Sequence, residues 1–196
     1  MEDSYIEYIV NNIDKIEDSE LRDSVIKLIK ERNYLIDTIN IDPLTGAYNR
    51  RILDSVRKYS VLALCDLDNF KSVNDIYGHD NGDTVLKFFS SALLKNCRAN
   101  DIVCRLGGDE FLVFFDDCPI EIVQSRMENI QEILSSHVSN VNFKVSFSAG
   151  LAVYEEGKTF DETLKEADIA LYSSKNDGKK AITRYDSTIN KHNVSR

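Results

Sequence analysis

The sequence predicts an α/β (α+β) domain, one sheet flanked by helices, preceded by N-terminal helices. Three observations carry this expectation. Beyond position 42, helical and strand-type patterns alternate along the chain. Among them, Val61-Leu62-Ala63-Leu64-Cys65 is a continuous apolar run of strand length, the pattern of a strand buried on both faces. Two further apolar runs joined through Gly107-Gly108 read as a β-hairpin.

Composition narrows the class. With 196 residues, 42% hydrophobic and 29% charged, the chain suits one domain plus an appendage. A net charge of −9 argues against binding duplex nucleic acid, which needs a basic footprint. An acidic protein still binds nucleotides where metal ions neutralise the phosphates. No membrane segment is expected, because the longest apolar run, Val61 to Cys65, falls far short of the ~20 residues a spanning helix needs. The opening Met1-Glu2-Asp3 lacks the basic-then-apolar layout of a signal peptide, which points to the cytoplasm. Cys65, Cys97, Cys104 and Cys118 form no CxxC pair and have no histidine at ligand spacing, so they read as reduced thiols rather than a zinc site.

The elements follow in order. Residues 1–41 hold no Gly or Pro and read as two helices, about 4–17 and 19–40. Ser4 and Glu7 have capping-box spacing, and Ile6, Ile9, Ile13 and Ile16 form one apolar stripe. The phase breaks at Asp18-Ser19-Glu20, and Val25, Leu28, Leu35 and Ile39 form a second stripe. These stripes either pack on the chain's own domain or pair with a second copy as a coiled coil or helical hairpin. Asp42-Pro43-Leu44-Thr45-Gly46 is a turn and the expected boundary. Helices are then expected at Ala47–Lys58, Phe70–Tyr77, Asp83–Cys97, Pro119–His137 and Asp161–Asn176. Strands are expected at Val61–Cys65, Ile102–Leu106, Phe111–Phe115, Lys144–Leu151 and Ala181–Arg184. The domain so defined covers 42–185, and 186–196 is a polar tail.

The chemistry concentrates at two places. Cys65-Asp66-Leu67-Asp68 closes a buried strand with carboxylates, which are costly there unless something binds them. Asp109-Glu110 lies at the hairpin tip. Either feature alone is compatible with a turn or a helix cap. If the two strands are neighbours, Asp66 and Asp109 converge into an oxygen site suited to Mg²⁺, which takes one or two carboxylates, waters and substrate phosphates. Phosphoryl transfer of the polymerase type uses such a site.

Taken together the motifs resemble the GGDEF family of diguanylate cyclases. Arg105-Leu106-Gly107-Gly108-Asp109-Glu110-Phe111 matches the signature that names the family. Asp42-Pro43-Leu44-Thr45-Gly46 with Asn49-Arg50-Arg51 is similar to its opening motif. Asp66-Leu67-Asp68-Asn69-Phe70-Lys71, Asn74-Asp75, Gly78-His79 and Gly82-Asp83 are similar to its first block. Ser148-Ala149-Gly150 and Ala167 to Tyr172 are similar to its last blocks. The resemblance spans residues 42–182.

The resemblance implies a palm-like sheet of the nucleotidyl-cyclase type. It implies two Mg²⁺ or Mn²⁺ ions per active site, held by Asp66, the Leu67 carbonyl and Asp109, with Glu110 a further metal contact or proton acceptor. Asn74 and Asp83 would read guanine, the carboxylate accepting from N1–H and N2–H₂, donors that adenine lacks. Lys71 and Lys175 match phosphate-binding positions, Lys179 stands where the family usually has Arg, and Lys180 where it has Asn. Backbone at Phe70 and at Gly107-Gly108 would line the substrate. Arg98-Ala99-Asn100-Asp101 has the spacing of the family's product-inhibition motif, though RxxD is otherwise an ordinary solvated turn. The implied activity joins two GTP into cyclic di-GMP plus two pyrophosphates across a homodimer. The rival readings are a binding module without catalysis, a cyclase with another product, and a scaffold acting through the N-terminal helices, which would leave the motifs unexplained.

Overall fold

A computed structural model of the protein describes residues 2–56, 59–137 and 145–188. The chain divides into two compact units, Met1–Ile41 and Asp42–Arg196.

The first unit holds α1 (Glu2–Asn12), a 3₁₀ turn (Ile13–Lys15) and α2 (Ser19–Asn40). Helix α1 begins at Glu2, so Ser4 lies inside it and does not open it as a capping box would. Asp18 is the effective cap of α2, accepting from the Glu20 and Leu21 amides at 2.9 and 3.0 Å. That cap explains the break in phase between the stripes. Leu28, Leu35 and Ile39 on α2 are all more than half exposed.

The second unit is built on a six-stranded sheet. Its strands are β1 (Tyr48–Asn49), β2 (Val61–Leu67), β3 (Ile102–Gly107), β4 (Glu110–Phe115), β5 (Phe147–Val153) and β6 (Ile182–Arg184). They lie in the order β1-β3-β4-β2-β5-β6, antiparallel across the centre and parallel at both edges. The helices are α3 (Phe70–Tyr77), α4 (His79–Asn96), α5 (Ile120–His137) and α6 (Phe160–Asn176).

Period-two alternation splits β2 and β4 between two cores. Val61, Ala63, Cys65 and Leu67 join Phe111, Val113 and Phe115 under Phe89 and Leu93 of α4 and Val123 and Met127 of α5. Leu62 and Leu64 join Leu112 and Phe114 under Ala167 and Leu171 of α6. Helices therefore flank both faces, as expected. Asp66 continues the second set, so the strand that builds the core also aims its carboxylate toward α6.

Two expected elements differ. Ala47–Lys58 is no helix: Tyr48–Asn49 pairs with β3, and Arg50–Asp54 forms a 3₁₀ turn. The Asn49 side chain accepts from the Arg51 amide at 3.0 Å, fixing the extended backbone that ends the strand. Helix α4 begins at His79, not Asp83, because Gly78 at φ 85° both closes α3 and opens α4. Lys58, Lys144 and residues 189–196 of the polar tail lie outside the described residues. Among the described residues no helix is long and apolar enough to cross a membrane.

Candidate active site

Strand register brings the acids together. Asp66 on β2 is paired across the ladder with Glu110 on β4, and the Leu67 amide donates to the Asp109 carbonyl at 3.3 Å. The β3–β4 turn is tight because Gly107 and Gly108 adopt φ 153° and 55°. Arg105 braces it: Nε and Nη2 donate to the Gly108 carbonyl at 3.1 and 2.8 Å, and Nη1 reaches Asp42 Oδ1 at 3.1 Å. Burial raises the Asp42 pKa, but hydrogen bonds from Thr45 and Arg105 outweigh it and hold the carboxyl below its ordinary value. The opening motif is thereby tied to the hairpin.

The acids feel one another. Burial pushes the Asp109 carboxyl up, and the Asp66 charge adds to the rise. Glu110 is raised by burial, then by Asp66 and Asp109, with a smaller contribution from Asp168 on α6. Lys175 on α6 opposes this, its Nζ standing 2.7 Å from Asp66 Oδ2. Carboxyls whose pKa values are raised by shared negative charge form a site that gains from a cation. Among the described residues no group of three or more His, Cys, Asp or Glu could enclose a metal by itself. Asp66, Asp109 and the Leu67 carbonyl therefore fit a hard divalent ion that completes its shell with water and phosphate, and do not fit structural zinc.

The second half of the site lies on α3 and α4. Phe70 and exposed Lys71 form the first turn of α3, entered through Asn69 at φ 56°. Asn74 packs its side-chain oxygen so closely on Gly82 that a Cβ there would overlap it, and the Phe70 ring lies alongside. Asp83, half-buried, follows Gly82 directly. The structure thus brings Phe70, Asn74 and the Gly82-Asp83 turn of α4 together. Lys179 approaches the entry to α3 separately, donating from Nζ to Asn69 Oδ1 at 2.6 Å.

Arg98 and Asp101 lie apart from these groups. Their turn opens β3 while the hairpin tip closes it, roughly 20 Å away at about 3.3 Å per residue. Asp101 turns inward, its side chain fully covered, and accepts from the Arg98 amide (2.7 Å), the Asp116 amide (3.1 Å) and Arg126 Nη1 (3.4 Å). Arg98 instead lines a polar hollow of about 350 Å³ with Ala99, Asn100, Asp116 and Asp117. The four cysteines are free, and burial pushes the Cys97 and Cys104 thiols up to about 12.

The motif reading left Arg105, Asp168 and Gly82 without roles. The only signal for them was membership of quoted motifs, since each acts through a contact distant in sequence or between helices.

The chain is similar to known proteins in sequence and in fold. Residues 39–181 match the family described as diguanylate cyclase, GGDEF domain. The chain is 38% identical over 162 residues to the response regulator PleD of Caulobacter vibrioides, covering 72% of this chain and 35% of PleD. It spans about a third of the length of the curated relatives it matches. The coiled coil and GGDEF domain of DgcB from Caulobacter crescentus, solved in complex with c-di-GMP, is similar at TM-score 0.71 and 26% identity. That match covers 85% of this chain and 97% of DgcB's. The diguanylate cyclase SiaD of Pseudomonas aeruginosa, solved with its activator SiaC, is similar at TM-score 0.74 and 28% identity, covering 93% of this chain and 75% of SiaD's. With the family model matching residues 39–181, the chain belongs to the GGDEF-domain family of diguanylate cyclases.

Proposed function

We propose that the chain joins two GTP molecules into cyclic di-GMP with release of two pyrophosphates. The observation that carries this reading is the β2–β4 register, which sets Asp66, Asp109 and Glu110 at one strand end. Asn74 and Asp83 hold the guanine edge. Lys71, Lys175 and Lys179 take the triphosphate as point charges. The site prefers Mg²⁺ or Mn²⁺, which when bound supplies activation of the attacking hydroxyl and charge neutralisation on the departing pyrophosphate. Asp66, the Leu67 carbonyl and Asp109 hold that charge in place.

In each half-reaction the 3′-oxygen of one GTP forms a bond to the α-phosphorus of the other. The bond from that phosphorus to the bridging oxygen of pyrophosphate breaks, and Glu110, with its raised proton affinity, receives the hydroxyl proton. One site binds one substrate, so the reaction runs between two copies of the chain, with residues 1–41 as the pairing segment. Their exposed apolar stripe supports that role. Domain 42–185 then carries the chemistry, in the cytoplasm, where free thiols such as these persist. Product inhibition is assigned to the hollow beside Arg98, with Asp101 holding the turn that presents it. The c-di-GMP complex of DgcB supports a product-binding surface in a protein of this fold.

The test is incubation with GTP and Mg²⁺, with products identified by mass spectrometry and ATP as control. Cyclic di-GMP with stoichiometric pyrophosphate is expected. A mononucleotide, a mixed-base product or unchanged GTP would overturn the reading.

A further inference from the structure

Asp68 has no part in the chemistry above, yet it is one of few buried carboxylates, 7% exposed. Among the described residues no Lys or Arg side chain pairs with it. Its partners are neutral donors from distant segments. The Ser148 hydroxyl donates to Oδ1 at 2.7 Å, and the Ser146 hydroxyl and the Lys180 amide donate to Oδ2 at 2.7 and 3.0 Å. Its own amide donates to the Ser146 carbonyl at 2.8 Å. A carboxyl group so buried is tolerated because each of its oxygens has a hydrogen-bond donor.

The Lys180 bond is the informative one. Gly178, Lys179 and Lys180 run through φ values of 107°, 65° and 48°, and two consecutive lysines in the left-handed region are rare for L side chains. Two amide bonds hold this turn: Lys179 N–H to the Ser174 carbonyl at 3.2 Å, and Lys180 N–H to Asp68. With the turn so held, the Lys179 ammonium meets Asn69, the neighbour of Asp68, at 2.6 Å.

We propose that Asp68 is a positioning residue for the nucleotide's phosphates, its carboxylate clasping the 178–180 turn so that Lys179 faces the loop between β2 and α3. This rests on the reading of Lys179 as a phosphate contact. Asp68 touches no substrate; it acts through the backbone of Lys180.

The experiment measures binding of guanosine and of α,β-methylene-GTP with Mg²⁺ to the full chain by calorimetry. Lys179→Met is expected to weaken the triphosphate about tenfold and leave guanosine unchanged. Asp68→Ala should do the same, and the double variant should lose no more than either single one, because both remove one interaction. Asp68→Asn keeps an oxygen for Lys180 and should restore binding to within about threefold. Losses that multiply in the double variant, or a guanosine loss equal to the triphosphate loss, would overturn the proposal. Unchanged triphosphate binding in Lys179→Met would remove the reading it rests on. If Lys179→Met weakens binding and Asp68→Ala does not, only the proposal falls. Hydrogen exchange on the parent needs no variant: the Lys180 amide is expected to be protected, and exchange at the unprotected rate overturns the clasp.

Discussion

One methyl group at position 82 would separate helix stability from base recognition. Gly82 lies in the first turns of α4, where Gly costs up to about 1 kcal/mol against Ala, yet a Cβ would overlap the Asn74 amide oxygen. Gly82→Ala should therefore hold or raise the Tm while weakening guanosine binding about tenfold, checked by calorimetry and thermal melts on the same preparations. Asp109 shows the same tension with a charge. Its carboxyl and that of Glu110 lie above their ordinary values through burial and the nearby Asp66 charge, so the folded metal-free protein holds protons that the unfolded chain releases. The stability they contribute is full at acid pH and is lost as pH rises through the raised values. Asp109→Asn removes one of these charges. It should raise the metal-free Tm at pH 7, with a smaller gain near pH 4, while abolishing Mn²⁺ binding read by electron paramagnetic resonance. An unchanged Mn²⁺ affinity would remove Asp109 from the metal site. Such residues were legible because carboxylates at the end of a buried strand demand a partner. Asp68 shared that signal, but its partners Ser146, Ser148 and Lys180 lie 78, 80 and 112 positions away, and no local pattern points to them.

At the scale of elements, periodicity served where a single face is buried and failed where a side chain redirects the backbone. Helix Phe70–Tyr77 was readable to the residue. Residues 47–58 carry apolar spacing that suits a helix, but β1 pairing with β3 and the Asn49 side chain divert the chain into a strand and a 3₁₀ turn. The helix expected from Asp83 begins at His79, which makes Gly82 a packing site within α4. The 178–180 turn carries a prediction of its own. Lys180 at φ 48° adopts a conformation that costs L residues roughly 1 kcal/mol and that Asn tolerates better. Lys180→Asn should stabilise the protein by about 0.5 kcal/mol in urea melts, with the Asp68 bond intact because it uses the backbone. A loss of stability would show that the Lys180 side chain has a role of its own.

For the whole molecule, the proposed reaction between two copies assigns each unit its own contribution. If residues 1–40 pair the chains, their removal should leave the 42–185 domain folded but make activity per chain fall on dilution, tracking the dimer fraction. Concentration-independent activity of the truncated chain would assign pairing to the domain itself. Feedback is separable from pairing: Arg98→Ala should relieve inhibition by added cyclic di-GMP in progress curves while leaving the initial rate within about twofold. Equal inhibition in both proteins would remove the hollow at 98–101 from regulation. The sheet order and the pairing of β2 with β4 were left open by the sequence, while the β3–β4 hairpin followed from Gly107-Gly108 between two apolar runs. The inward turn of Asp101 did not, because its partners Asp116 and Arg126 belong to other elements.

The clasp between Asp68 and Lys180 also bears on how the protein is made. Its two ends are 112 residues apart, an interval that takes roughly 6 to 22 seconds to translate at about 5–20 residues per second. Throughout that interval β2 and its Asp66 have been synthesised while the 178–180 turn has not. The clasp therefore cannot order this turn while the domain is being made, and Lys179 takes its place opposite Asn69 only after the segments from 146 to 180 exist.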